Sequence, residues 1–299
     1  MKLLTFIRDG QNALGVKTEQ GVVDIAAAVS AGFGPQGTPT DVMDVISGGQ
    51  SAVAALQQTV DQAIASDKQE LILDESNITF GPSVTKPSKI ICVGLNYRKH
   101  AEETKAEIPT TPILFNKFSN TLTGHGHDIP LPRTSQQVDY EVELTIVMGK
   151  KAKYVSREDA LSHVFGYSTV NDVSARDLQL RTQQWLLGKS CDSFSPLGPY
   201  LVSADEVGNP NDLQLTCIVN GEERQNSNTS DMIFHCDEIV SYISQHMTLE
   251  PGDIILTGTP FGVILGYPKD QRVYLKDGDI VTVEVEKLGA CTNRFVNEA

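Results

Sequence analysis

The stretch at residues 138–146 constrains this chain more than any other. It runs Val138, Asp139, Tyr140, Glu141, Val142, Glu143, Leu144, Thr145, Ile146, with apolar and polar residues in strict alternation. Such a pattern is a β-strand with two unlike faces. Val138, Tyr140, Val142, Leu144 and Ile146 make an ordinary core face. The opposite face presents Asp139, Glu141 and Glu143 at every second position. Side chains two apart on a strand are separated by about 6–7 Å. Like charges that close repel, and Asp and Glu are poor strand formers in any case. Two arrangements relieve the repulsion. A hard divalent cation can be shared among the carboxylate oxygens, or the charged face can lie against water on the outside of an antiparallel sheet.

Around this strand the chain has 299 residues, 40% of them hydrophobic, which is room for two domains or one large one. Residues 1–80 read as a small structural domain of mixed α+β character. It has a hairpin turning at Asp9-Gly10, a third strand near 21–25, and helices over 41–46 and 51–65. Residues 81–88, with Gly81, Pro82, Ser83, Pro87 and Ser88, read as a linker. Residues 89–299 form the larger unit. A continuous apolar strand at 89–94 leads into a polar, helix-favouring segment at 96–105. A capping box at Ser156 starts a short helix ending near 165. A strand follows at 166–173, a helix at 175–187 and a hairpin at Asn220-Gly221. An apolar stripe through Ile233, Cys236, Ile239, Val240, Ile243 and Met247 marks a core helix. Many short strands with few helices predict a β-rich α+β protein built as a barrel, roll or sandwich.

The formal net charge is −14. An acidic surface argues against nucleic acid and anionic membranes as partners, though not against a small anionic substrate held by local Arg or Lys. No apolar run approaches the ~20 residues of a membrane helix, and the first residues are interrupted too soon for a signal peptide. Cys92, Cys191, Cys217, Cys236 and Cys291 are scattered, with no Cys-x-x-Cys pair. That pattern suits reduced thiols and leads to the expectation of a cytoplasmic protein.

Several side chains carry possible chemistry. The strand at 166–173 ends in Asn171-Asp172 and is joined to the carboxylate strand through a helix. Pairing of the two would make Asp172 a third carboxylate for one ion; otherwise Asp172 caps the turn into Ala175. His100 and Glu103 are three apart on a predicted helix and face the same side. A carboxylate beside an imidazole fixes its tautomer and raises its basicity; otherwise the pair is part of a charged surface. His125 and His127 alternate, but nothing nearby completes a nitrogen-rich metal site. Gly188-Lys189-Ser190 lacks the upstream glycine of a phosphate loop, since position 183 is Gln183, and Lys189 is left as an anion-binding lysine. Thr257-Gly258-Thr259 offers hydroxyls and close N–H groups as an anion cradle, or else is a tight turn.

Five stretches in order resemble the fumarylacetoacetate hydrolase superfamily. They run from Gly94 to His100, from Asp139 to Leu144 and from Gly166 to Gln179, then Gly188-Lys189-Ser190 and Thr257-Gly258-Thr259-Pro260. They span roughly residues 89–285. The resemblance implies a mixed β-sandwich roll, a homodimer, and Mg²⁺ or Mn²⁺ held by Glu141, Glu143 and Asp172. It implies a water-activating dyad of His100 with Glu103 on a lid helix, and Lys189 as the oxyanion lysine. Arg176, Gln179 and Thr259 match substrate-contacting positions, and residues 89–299 become the catalytic domain. The chain departs from the family at Phe261 and Ile264, where small residues are common. The implied substrate is a small 2-oxo or diketo acid. The expected reaction is hydrolytic C–C cleavage of an acylpyruvate or fumarylacetoacetate-like acid through a metal-stabilised enolate. The alternatives are oxaloacetate decarboxylation, tautomerisation or isomerisation of a hydroxymuconate-type acid, and a catalytically idle metabolite-binding protein.

Overall fold

The structure, a computed structural model, describes residues 1–298. Its described residues build a ten-stranded sheet. In spatial order the strands are Ile72–Leu73, Gly21–Asp24, Gln11–Thr18, Lys2–Arg8, Leu201–Ser203, Val164–Asn171, Val142–Met148, Ile254–Leu256, Ile90–Gly94 and Ile113–Lys117. Strands from residues 1–80 thus continue the sheet that carries the carboxylates, joined where Lys2 and Leu3 pair with Val202 and Leu201. A second sheet has five strands, ordered Glu222–Asn228, Gln214–Val219, Ile280–Val285, Gly289–Asn297 and Asp128–Leu131. The Asn220-Gly221 turn joins its first two strands, both residues at positive φ, as a tight hairpin turn requires.

The two sheets form a β-rich sandwich. Val142, Leu144 and Ile146 pack with Leu215, Cys217, Val283 and Phe295 of the five-stranded sheet. The opposite face of the same strand is also covered. Val147 packs with Val170 and with Val45 and Leu56 of the helix Val42–Ile64. Gly49, at φ 57 and ψ −141, is non-helical and divides that span into two helices, as the periodicity leads one to expect. Every residue of Val142–Met148 is buried, so water does not solvate its charged face.

The alternation at 138–146 does not persist as one strand. Val138–Asp139 pairs with Ser174–Ala175 in a separate two-stranded sheet, and the main strand begins at Val142. Its pairing with Val164–Asn171 is antiparallel, with Val142 opposite Asn171 and Glu143 opposite Val170. The register holds down to Val147 and shifts by a bulge between Val147 and Met148. The helix expected over 175–187 forms only as Arg176–Gln179 and Leu186–Lys189. Between them the Thr182 hydroxyl donates to the Gln184 carbonyl, a local turn that competes with the helix. No helix among the described residues is long and apolar enough to cross a membrane.

Candidate active site

Strand register assembles the carboxylates. Because Val142 faces Asn171, the residues just outside the pair, Glu141 and Asp172, also meet. The Glu141 N–H donates to the Asn171 side-chain oxygen at 2.9 Å, and the Asp172 N–H donates to the Glu141 carbonyl at 2.9 Å. Glu143 lies two residues along on the same face. One carboxylate oxygen from each of Glu141, Glu143 and Asp172 falls within 4.8 Å of the others, all three residues being buried. Asp139 does not join them, because the strand is interrupted at Tyr140 and Glu141. Its oxygens instead accept from Ile264 N–H (2.9 Å), Leu265 N–H (3.0 Å) and Arg176 Nε (2.8 Å).

Buried cations surround this cluster. Lys189 Nζ lies 2.7 Å from Glu141 and 2.8 Å from Asp172. Lys117, fully buried, pairs with Asp172 and donates to the Phe194 carbonyl at 2.6 Å. Arg176 Nη2 is 2.7 Å from Glu141, yet the alignment leaves that buried nitrogen without a hydrogen bond. Burial pushes the Glu141 carboxyl upwards, but Lys189, Arg176 and His100 outweigh it and hold it down at about 2. Glu143 has no cation within salt-bridge distance among the described residues. Burial first, then the charges of Asp172 and Glu141, push its carboxyl well above the usual range. Its one strong donor is the Gly258 N–H at 2.8 Å. Gly258 sits at φ +98, and a Cβ there would come within 2.8 Å of Asn96, so the Thr-Gly-Thr loop needs glycine to aim that N–H.

The helix Arg98–Glu103 covers the cluster. His100 Nδ1 and Glu103 Oε1 are 2.8 Å apart, and the His100 ring is buried. The other Glu103 oxygen accepts the Gly262 N–H at 3.0 Å. Lys99 Nζ rests 5.3 Å from the centre of the Phe261 ring. Phe261 thus meets the helix, and Ile264 turns into the core, so the two bulky departures from the family pattern leave the cavity wall to Leu265, Gly266 and Tyr267.

All this faces one cavity of about 600 Å³ that includes His100, Glu103, Glu141, Glu143, Arg176, Gln179, Lys189 and Thr259 in its lining. Gln179 accepts from Arg176 Nη1 at 3.0 Å, and its amide nitrogen makes no hydrogen bond to the described residues. The Thr259 hydroxyl is committed, donating to the Val142 carbonyl and accepting from Gln225. His125 and His127 bond to the backbone at Thr292 and Phe80, away from the cluster. Three contributors escape sequence reasoning. Lys117 comes from a distant strand with no motif around it, and Asn171 and Asp139 act through backbone N–H groups and Arg176.

The donor set fits a hard divalent cation. It is all oxygen and buried, and charge is left uncompensated at Glu143. In this arrangement Glu141, Glu143 and Asp172 would hold the ion, with Lys189 and Arg176 beside it.

The chain belongs to the fumarylacetoacetate hydrolase family, whose C-terminal domain model matches residues 89–296. A mitochondrial oxaloacetate tautomerase of Bos taurus is 43% identical over 278 residues, 92% of this chain and 84% of that protein. A fumarylacetoacetate hydrolase from Exiguobacterium antarcticum is 33% identical and superposes with a TM-score of 0.83 over 100% of both chains. A maleylpyruvate hydrolase from Sphingobium, solved with manganese(II) and pyruvate, is 28% identical with a TM-score of 0.79, again over 100% of both. The cytoplasmic expectation is overturned by the tautomerase relatives, which are named as mitochondrial. Reduced cysteines and an acidic surface suit any reducing compartment, so composition had no power to choose.

Proposed function

We propose that this protein is a divalent-metal-dependent tautomerase of oxaloacetate-like 2-oxo acids. The observation that carries the reading is the buried His100 ring, fixed through Nδ1 by Glu103, in the same cavity as Glu141 and Glu143, with Asp172 clustered behind them. The 43% identity to an oxaloacetate tautomerase supports it and moves the emphasis away from hydrolysis. Glu141, Glu143 and Asp172 would hold Mg²⁺ or Mn²⁺, which when bound would supply Lewis-acid stabilisation of negative charge developing on the acid. With Nδ1 engaged by Glu103, Nε2 is the nitrogen left to carry a proton. Nε2 takes a proton from C3 as negative charge gathers on the C2 oxygen, and the Lys189 ammonium donates a hydrogen bond to that oxygen. Transfer of that proton from Nε2 to the C2 oxygen gives the enol, and its passage back through Nε2 to C3 gives the ketone. The Arg176 guanidinium and the Gln179 amide orient the acid. Residues 1–80 contribute none of these side chains and serve a structural role.

The test follows enol loss from oxaloacetate by ultraviolet absorbance with Mg²⁺ or Mn²⁺, beside pyruvate release from oxaloacetate and cleavage of acylpyruvates. Metal-dependent enol loss faster than pyruvate release is the expected result. Pyruvate release that accounts for all the enol lost would make the protein a decarboxylase. Efficient acylpyruvate cleavage would restore the hydrolytic reading, which the His100–Glu103 pair and the likeness to two hydrolases keep second. A homodimer belongs to the same proposal. The free sheet edge at Ile113–Lys117 leaves Ile113 and Phe118 exposed, and light scattering at micromolar concentration tests it.

A further inference from the structure

Five cationic side chains line the cavity, and they divide into two sets. Arg176 and Lys189 are buried and committed to Asp139, Glu141 and Asp172. Arg272 is half-buried, and Lys105 and Lys269 are exposed at the rim. Among the described residues none of these three forms a salt bridge. In a chain of net charge −14, with 38 acidic residues, three unpaired cations around one opening are an anomaly. Arg272 is also held in place. Its Nε donates to the Tyr267 carbonyl at 2.9 Å, which fixes the guanidinium plane while its terminal nitrogens carry no hydrogen bond to the described residues. Among the described residues that line the cavity, the one carboxylate outside the buried cluster, Glu103, is already engaged by His100 and the Gly262 N–H. The inner end of the cavity is therefore near charge balance, and its outer end is positive.

A 2-oxo acid needs only the inner end. A second carboxylate on the same molecule would have nothing there to pair with, since Lys189 and Arg176 are shared between the protein's own carboxylates and the 2-oxo end of the acid. We propose that Arg272, with Lys269 and Lys105 as supporting charges, determines specificity by taking the second carboxylate of a 2-oxo diacid, so that the cavity selects dicarboxylates over monocarboxylates of equal length. This rests on the reading that a 2-oxo acid binds at Glu141, Glu143 and Asp172. A guanidinium with its terminal nitrogens free is suited to a carboxylate, which it meets with two parallel hydrogen bonds. The cavity volume of about 600 Å³ leaves room for chain between the two ends.

The test is calorimetric binding to the Mg²⁺-loaded full-length protein of two matched pairs, oxaloacetate with 2-oxobutyrate and 2-oxoadipate with 2-oxohexanoate. The diacid should bind about tenfold tighter than its partner in at least one pair. Arg272→Gln should bring that preference to within about threefold by weakening the diacid alone, and Arg272→Lys should restore part of it. Lys269→Gln, at an exposed position, should reduce the preference less and without change in thermal midpoint. Equal binding of diacid and monoacid to the wild type would overturn the inference and leave the tautomerase reading standing. So would a loss in Arg272→Gln shared equally by both acids, which would mark Arg272 as a structural tether of its loop. If no 2-oxo acid binds, the inference and the reading beneath it both fall.

Discussion

At the floor of the cavity, Glu141, Glu143 and Asp172 are fixed by antiparallel register and enclosed by Lys117, Lys189 and Arg176, all buried. At its cover, the helix Arg98–Glu103 has six residues, far below the ~12 that hold a helix in isolation. It is kept down by the Glu103 contact with Gly262, the Lys99 contact with Phe261, and Asn96, which bonds to Phe234 and Thr257. The floor is costly to disturb because every charge there depends on another in a low-dielectric setting. The cover can be altered cheaply, yet it carries His100, the proton-transfer group of the proposed reaction. Folding energy is concentrated at one end of the site and proton transfer at the other.

The largest effect should come from Glu141→Ala, which strands Lys189 and Arg176. Loss of one partner of a buried pair costs about 3–5 kcal/mol, so denaturant unfolding should show a drop of that order together with loss of metal binding. A drop below about 1 kcal/mol would break the contrast, since exposed pairs already account for that much. His100→Ala should do the opposite. Tautomerisation should fall about 10²–10⁴-fold while the unfolding midpoint and the metal affinity stay as in wild type. A stability loss equal to that of Glu141→Ala would mean the cover is part of the frame.

The floor also predicts a pH dependence. Burial and the neighbouring carboxylates raise the Glu143 carboxyl in the metal-free protein. A raised carboxyl binds its proton more tightly in the folded than in the unfolded state. Metal-free stability should therefore fall as pH rises above the ordinary glutamate value of about 4.3. Metal binding needs the carboxylate and should release that proton, so affinity for Mg²⁺ should rise with pH. Calorimetry in two buffers of different ionisation enthalpy measures the release, and an affinity flat with pH would contradict it. The smallest effect belongs to the cover again. Lys99→Ala removes a cation–π contact of about 0.5–1 kcal/mol, visible as a severalfold rise in KM with the thermal midpoint nearly unchanged.

Much of the site is legible from local pattern. The two-residue alternation puts Glu141 and Glu143 on one face, and a strand returning through a helix brings Asp172 beside them, as the pairing of Val142 with Asn171 bears out. Two things hide from that reading. The break at Tyr140 diverts Asp139 to Arg176 and to the loop at Ile264, an event set by tertiary contacts that alternation cannot report. Lys117 enters from a strand 55 positions before Asp172, with nothing around it but an apolar run. Without it, the carboxylates look as if a metal or water must relieve them, whereas three buried cations share that task. The helix at 175–187 fails for a similar reason. Gly188 packs against the backbone of Ala175 and Gln179 with no room for a Cβ, and that approach, which seats Lys189, requires the chain to turn at 180–185.

The bulge at Val147 and Met148 makes the hairpin unequal in the sequence changes it can accept. A period of two allows no gain or loss of one residue between Val142 and Val147, because Glu143 would turn into the sandwich and Leu144 into the cavity. Beyond Val147 the register is already irregular, so the segment at 149–163 can lengthen or shorten by a residue and have the difference absorbed there. Inherited insertions and deletions in this hairpin should therefore gather at its far end, and the span from Asp139 to Val147 should keep its length even where its residues change.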